Sequence, residues 1–352
     1  MRTGSGNPIL AYFRMAFMFT AVGLILAGFM GWWITGTAGG AVTIFFICLI
    51  LSVLEISLSF DNAIVNANIL RRMHPKWQRR FLTWGILIAV FGMRILFPLL
   101  VVMFAAQIGP IKAVTLAAGR PEEYARIMAS AHLPISAFGG TFLLMVALSY
   151  FLDEEKDVHW VSWIESRLSA MGALRSIEIA FVLAVVVGFS QFLPEGRSRV
   201  FICSSVYGLI AYLLVDLLGK VLDSREAMVK AAGQGGLGSF LYLEVLDASF
   251  SFDGVIGAFA LSQNLFVIAI GLGIGAMYVR SLTIMLVQRG TLAEFRFLEH
   301  GAFYAIMVLA LLMFAQSFLH IPEAVTGLCG ALLIGASLWS SISWNRKNVG
   351  SR

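Results

Sequence analysis

The stretch VLEISLSFDNAI, residues 53–64, decides how the whole chain is read. It lies in an apolar run long enough to cross a bilayer, yet it holds Glu55, Asp61, two serines and Asn62. A second stretch, VLDASFSFDGVI at residues 245–256, repeats it 192 positions later. Val, Leu, both Ser, Phe, Asp and Ile coincide, and Glu55 aligns with Asp247. A charge at the centre of a bilayer costs about 2.5 kcal/mol or more. Glu55, Asp61, Asp247 and Asp253 therefore call for partners: a cation, a proton or an arginine. Glu244 adds a fifth acid one turn before Asp247.

Composition sets the frame for these acids. Hydrophobic residues make up 59% of the chain and charged residues 13%, against roughly a quarter charged in a soluble domain. The chain reads as an all-α polytopic membrane protein, with residues 1–352 forming a single transmembrane domain. The net charge of +5 lies mostly in short loops, which suits topology control and excludes a nucleic-acid partner. Cys48, Cys203 and Cys329 sit in apolar runs without metal or redox spacing and read as small core residues. The first apolar run is too long for a cleavable signal peptide and lacks a cleavage site.

A spanning helix needs about 20 apolar residues. Ten candidates follow: 11–35, 41–70, 82–107, 133–151, 176–194, 199–219, 237–261, 264–287, 302–319 and 324–343. The expectation is about nine or ten transmembrane helices. RRMHPKWQRR, residues 71–80, places five Lys/Arg in one short connection, and most other loop Lys/Arg fall on the same side. The positive-inside rule puts both termini in the cytoplasm. The second and seventh helices then run in opposite directions, so the two phrases lie antiparallel. This predicts an inverted-topology repeat, with halves at roughly 10–195 and 198–343. The third and eighth helices also correspond, each carrying one buried arginine, Arg94 and Arg280. Residues 121–132 and 159–172 read as short helices lying on the membrane.

Helical geometry divides the polar residues. At about 100° per residue, Glu55, Ser59, Asn62 and Asn66 share one face, while Ser57, Asp61 and Asn68 share nearly the opposite one. In the second phrase Glu244, Asp247 and Ser251 share a face, and Ser249 and Asp253 share another. A straight helix cannot turn both acids of one phrase toward one ion. Either the helix breaks near the Ser-Phe-Asp step, or one acid answers Arg94 or Arg280. The ligand set is all oxygen, which suits Mn²⁺, Mg²⁺ or Ca²⁺ and disfavours Zn²⁺ or Cu⁺.

The first phrase resembles the E-x-x-L-S-x-D-N motif of the TerC family of integral membrane proteins, through Glu55, Leu58, Ser59, Asp61 and Asn62. The second, from Asp247 to Asp253, resembles that family's other acidic motif, with Gly254 where the family carries Ser. SYFLDEEKDVHW, from residue 149, and FLEHGAFYAI, from residue 297, are similar to its longer, functionally unassigned branch. The resemblance implies manganese efflux and metal homeostasis, historically tellurium resistance, and two motif helices at the core of an inverted repeat. It implies an ion path through Glu55, Asp61, Asn62, Asp247 and Asp253.

The expected function is thus divalent cation transport, Mn²⁺ ahead of Ca²⁺, by alternating access in the cytoplasmic membrane of a bacterium. Ser59, Ser251 and Glu244 join the metal ligands, with Arg94, Arg280 and Asn66 as supporting groups. No resident cofactor is expected; the partners are the metal ion and the lipid bilayer, and a homo-oligomer is compatible. A non-transporting metal-binding membrane component and an exporter of an organic solute with a coupling cation are the alternatives. An enzyme is not expected: there is no GxGD pattern and no serine–histidine arrangement in the helices.

Overall fold

Caps and prolines set the helix ends. A computed structural model describes residues 9–153, 156, 158–169, 175–230, 236–290, 294–319 and 321–349. Its first long helix, α1 (Arg14–Thr35), ends at Gly36 in the left-handed region, φ 67°. Thr37 then caps α2 (Ala38–Leu58), its hydroxyl accepting from Gly40 N. After α3 (Phe60–Arg71), Pro75 opens α4 (Pro75–Leu87), where its missing N–H costs nothing. A nine-residue π-helix, Ile88–Leu96, leads into α5 (Phe97–Ala106). Pro98 lacks the N–H that residue 94's carbonyl would accept, which loosens the turns before it. Prolines also open α6 (Pro110–Gly119) and α7 (Pro121–Ser130).

The remaining helices are α8 (His132–Phe151), α9 (Ser162–Ser169), α10 (Arg175–Ser190), α11 (Glu195–Lys230), α12 (Leu237–Leu261), α13 (Leu265–Arg289), α14 (Leu298–Ala315) and α15 (Glu323–Val349). Asn264 caps α13, its side-chain oxygen accepting from the N–H groups of Phe266 and Val267. No strand occurs among the described residues. The chain is an all-α, multi-pass membrane protein. In α13, 72% of the apolar window is buried within the protein, and in α8, 67%; in α1 and α2 only 22% is. The bundle is therefore built around α8 and α13, with α1 and α2 on its lipid-facing side. The second phrase lies on α12, which packs against both central helices.

The span count is lower than the sequence suggests. Among the described residues seven helices are long and apolar enough to cross a bilayer, or eight if one bent pair is a single span. Three expected spans account for the difference. Residues 82–107 are broken by the π-helix, and the chain from residue 91 turns by 106° into α6. In 176–194 the apolar helix covers only Ser176–Ser190. Residues 237–261 are helical throughout as α12, but Glu244, Asp247 and Asp253 make that helix too acidic to qualify by apolarity.

Candidate functional site

The first phrase is interrupted at Ser59. Its backbone, at φ −103° and ψ 16°, closes α2 through Ser59 N donating to Glu55 O (2.9 Å). Asp61 lies in the first turn of α3, and its Oδ1 accepts from Asn62 N (2.9 Å). A carboxylate in a helix's first turn is favoured by the dipole and takes up an orphan donor. Glu55 receives Ser59 Oγ at 3.0 Å and forms an ion pair with Arg94, both side chains being almost fully buried. Arg94 comes from the π-helix, an element often found at functional sites. The two options left open by helical geometry thus hold together: the motif helix breaks, and one of its acids answers an arginine. The second phrase behaves differently, since α12 runs unbroken through it.

Two small cavities meet at this break, and Glu55 and Ser59 line both. One, about 20 Å³, is lined by Ser57, Asp61, Gly254 and part of α15, including Thr326 and Gly327. The other, about 40 Å³, is lined by Asn62, Asn66, Arg94, Glu244, Asp247 and Arg280. One water needs about 10–15 Å³ of such space, so the smaller cavity has room for about one water and the larger for about three. The division follows the helical faces, with Asn62 and Asn66 on one side and Ser57 and Asp61 on the other. In the larger cavity Asn62 Nδ2 donates to Asp247 Oδ1 at 2.6 Å. Asn62 Oδ1, Asn66 Oδ1, Glu244 Oε1 and the Nε and Nη2 of Arg280 are buried there without a hydrogen-bond partner. The Arg280 guanidinium lies 5.8 Å over the Phe81 ring.

The contacts between the phrases obey an exchange rule. Asn62 meets Asp247, and a Cβ on Gly254 would lie 3.2 Å from Glu55 Oε2. Glu55 and Asp247 are equivalent positions, as are Asn62 and Gly254, so each contact is the other with the copies swapped. The same holds one helix away. Ser52 Oγ donates to Gly271 O (2.9 Å), and Glu244 Oε1 lies 3.4 Å from a Cβ on Gly85. Ser52 and Glu244 each stand three residues before their motif acid, and Gly85 and Gly271 each stand nine before their arginine. The motif helices therefore cross antiparallel, with contacts that exchange between the two copies.

The expected ligands do not converge on one point. Among the described residues no three His, Cys, Asp or Glu side chains are grouped to hold a metal. Glu55 is occupied by Arg94, Asp61 by the start of α3, and Asp247 by Asn62. Ser251 is buried with its hydroxyl unpartnered. Asp253 lies on α12, but its side chain is outside those described.

A second polar cluster is invisible to periodicity. Glu165 of α9 is fully buried and accepts from Lys156 Nζ (3.1 Å), Trp160 N (3.2 Å) and Val161 N (3.1 Å). His300 Nε2 lies 3.3 Å away. Burial pushes the Glu165 carboxyl upward. The Val161 N–H, the charges of His300 and Lys156 and the Lys156 hydrogen bond outweigh it and hold the carboxyl below its ordinary value. Next to His300, Glu299 accepts from Asn68 Nδ2 and pairs with Arg71 (3.5 Å) and Arg72 (3.8 Å). The start of α14 thus ties the end of α3 to the 156–165 segment. Glu299 is a tie between helices.

Neither the curated proteins nor the solved structures contain a match to the chain. A family profile matches residues 60–348, from the first residue of α3 almost to the end of α15, and takes in the whole second phrase. With most of its length inside that match, the chain belongs to the family described as protein of unknown function (DUF475).

Proposed function

We propose that the chain carries a divalent cation across the cytoplasmic membrane, Mn²⁺ before Ca²⁺ and outward, by alternating access around the two motif helices. The observation that carries this reading is the larger cavity. It gathers unpartnered oxygens of Asn62, Asn66 and Glu244 beside Asp247, at the crossing of an antiparallel pair. Hard oxygen donors of this kind, partly carboxylate and partly amide, suit cations that keep some of their water. Transporters built from inverted repeats bind their cargo where the repeats meet, beside interrupted helices. The TerC resemblance favours Mn²⁺ within that class. The loop Lys/Arg favour a cytoplasmic side for the larger cavity, which adjoins α4 and the start of α12.

The test is flux of Mn²⁺, Ca²⁺, Mg²⁺ and Zn²⁺ in proteoliposomes, with pH and membrane potential varied independently. Mn²⁺ flux that is lost in Glu244→Gln/Asp247→Asn supports the reading; wild-type rates in that double variant sink it. One observation favours a second reading. Arg280 brings two unpartnered donors into the same cavity, as a solute with an anionic group would need. Transport of such a solute, with the divalent cation only required for it, would replace metal efflux by export of an organic solute.

A further inference from the structure

The two halves of the site exchange their contacts, but they are not in the same condition. On one side the arginine has closed on its acid: Arg94 is ion-paired with Glu55. On the other, Arg280 makes no ion pair within 4.0 Å to Glu244 or Asp247, its Nε and Nη2 are unpartnered, and Asp247 is held by Asn62 instead. The packing beside each acid differs in the same sense. Where α2 lies on α13 the seam is shut. A Cβ on Gly275 would come within 2.6 Å of Glu55 Cγ and 2.9 Å of Ser52 O, and one on Gly271 within 2.6 Å of Leu51 Cβ. Ser52 Oγ seals this seam by donating to Cys48 O (2.6 Å) and Gly271 O (2.9 Å). At the equivalent place on the other half the packing is looser: a Cβ on Gly85 would meet Glu244 Oε1 only at ordinary contact distance, 3.4 Å, and both residues line the larger cavity.

A repeat protein caught with one half shut and the other open has a second state at hand, obtained by exchanging the halves. We infer that Arg94 and Arg280 are alternating counter-ions. Arg94 neutralises Glu55 while the α2–α13 seam is shut and Asp247 is free of Arg280; Arg280 neutralises Asp247 when the seam opens and Arg94 leaves Glu55. The reason is electrostatic. A motif acid left bare in the bundle stays desolvated with nothing to offset it, so an acid without cargo needs a resident cation, and one that has cargo must be rid of it. The π-helix that carries Arg94 is the softer backbone such a motion needs. The inference deepens the transport reading and rests on it, but its test does not depend on flux.

In a background with Cys48, Cys203 and Cys329 replaced by Ala, Ser52→Cys reports on the seam and Thr283→Cys on the larger cavity. The measurement is the rate of reaction with N-ethylmaleimide on the purified full chain, taken as the ratio of the Ser52→Cys rate to the Thr283→Cys rate. Arg94→Gln removes the closed pair and is expected to raise that ratio at least fivefold, with Arg94→Lys restoring it. Arg280→Gln removes the pair of the other state and is expected not to raise it. Glu55→Gln is expected to act like Arg94→Gln, which keeps the test open if the arginine variant does not purify as a single species. If Arg94→Gln and Glu55→Gln leave the ratio unchanged, or Arg280→Gln raises it as well, the arginines are static staples and the inference fails. Wild-type liposomes without divalent cation flux would instead overturn the transport reading, whatever the labelling shows.

Discussion

Removing the Arg94 guanidinium is the most direct probe of how the site is held. In Arg94→Met the Glu55 carboxylate, whose side chain is 2% exposed, would keep the Ser59 hydroxyl but lose its opposite charge. Breaking one partner of a buried pair costs about 3–5 kcal/mol, because the survivor stays desolvated. Replacing both partners by neutral groups of similar shape is close to neutral by the same rule. Arg94→Met should therefore lose about 3–5 kcal/mol, and Glu55→Gln/Arg94→Met should recover more than half of that loss. The assay is equilibrium unfolding in mixed micelles of dodecyl sulfate and a mild detergent, followed by circular dichroism. An exposed pair would be worth only about 0–1 kcal/mol. A loss below about 1 kcal/mol in Arg94→Met, or a double variant no better than the single one, would refute the claim that the pair is buried and mutually dependent.

Two further outcomes test other parts of the structure. Gly275→Ala should destabilise the protein by about 1–3 kcal/mol through overpacking against Glu55 and Ser52, whereas Gly28→Ala, with nothing within 4 Å of its new methyl group, should be neutral or stabilising by up to about 1 kcal/mol; thermal unfolding of both variants decides it. Glu165 has a depressed folded value, so its contribution is complete above the ordinary glutamate value of about 4.3 and is lost as pH falls through the lower folded value; a thermal-stability titration should show this acid-side loss in the wild type and a flatter profile in Glu165→Gln.

Much of the site was legible because its residues obey short-range geometry. Counting 100° per residue separated Asn62 and Asn66 from Ser57 and Asp61, and the two cavities divide along that line, whereas Glu55 and Ser59, counted with the asparagines, line both because the helix breaks at Ser59. The repeated phrase and the loop charges implied antiparallel motif helices, and the exchanged contacts 62–247 and 55–254 show that crossing. The arginines were recognised as counter-ions, although only one of them has closed on its acid. What stayed hidden depends on distant partners. Glu165 and Lys156 look like surface charges in an acidic, amphipathic stretch, and only the fold brings them to His300. The span count fell short for a local reason as well: Pro98 and the π-helix divide a run that hydropathy alone reads as continuous.

The π-helix at Ile88–Leu96 has a geometric consequence of its own. It holds more residues per turn than the α-helices at either end, so it behaves like a dislocation in an otherwise regular lattice. If that surplus steps along the chain by one residue, the side chain it passes turns by about 100° while both ends of the helix stay fixed. Arg94 sits inside this segment. Its charge could thus be swung off Glu55 by a defect moving through the backbone, with no travel of the helix as a rigid rod.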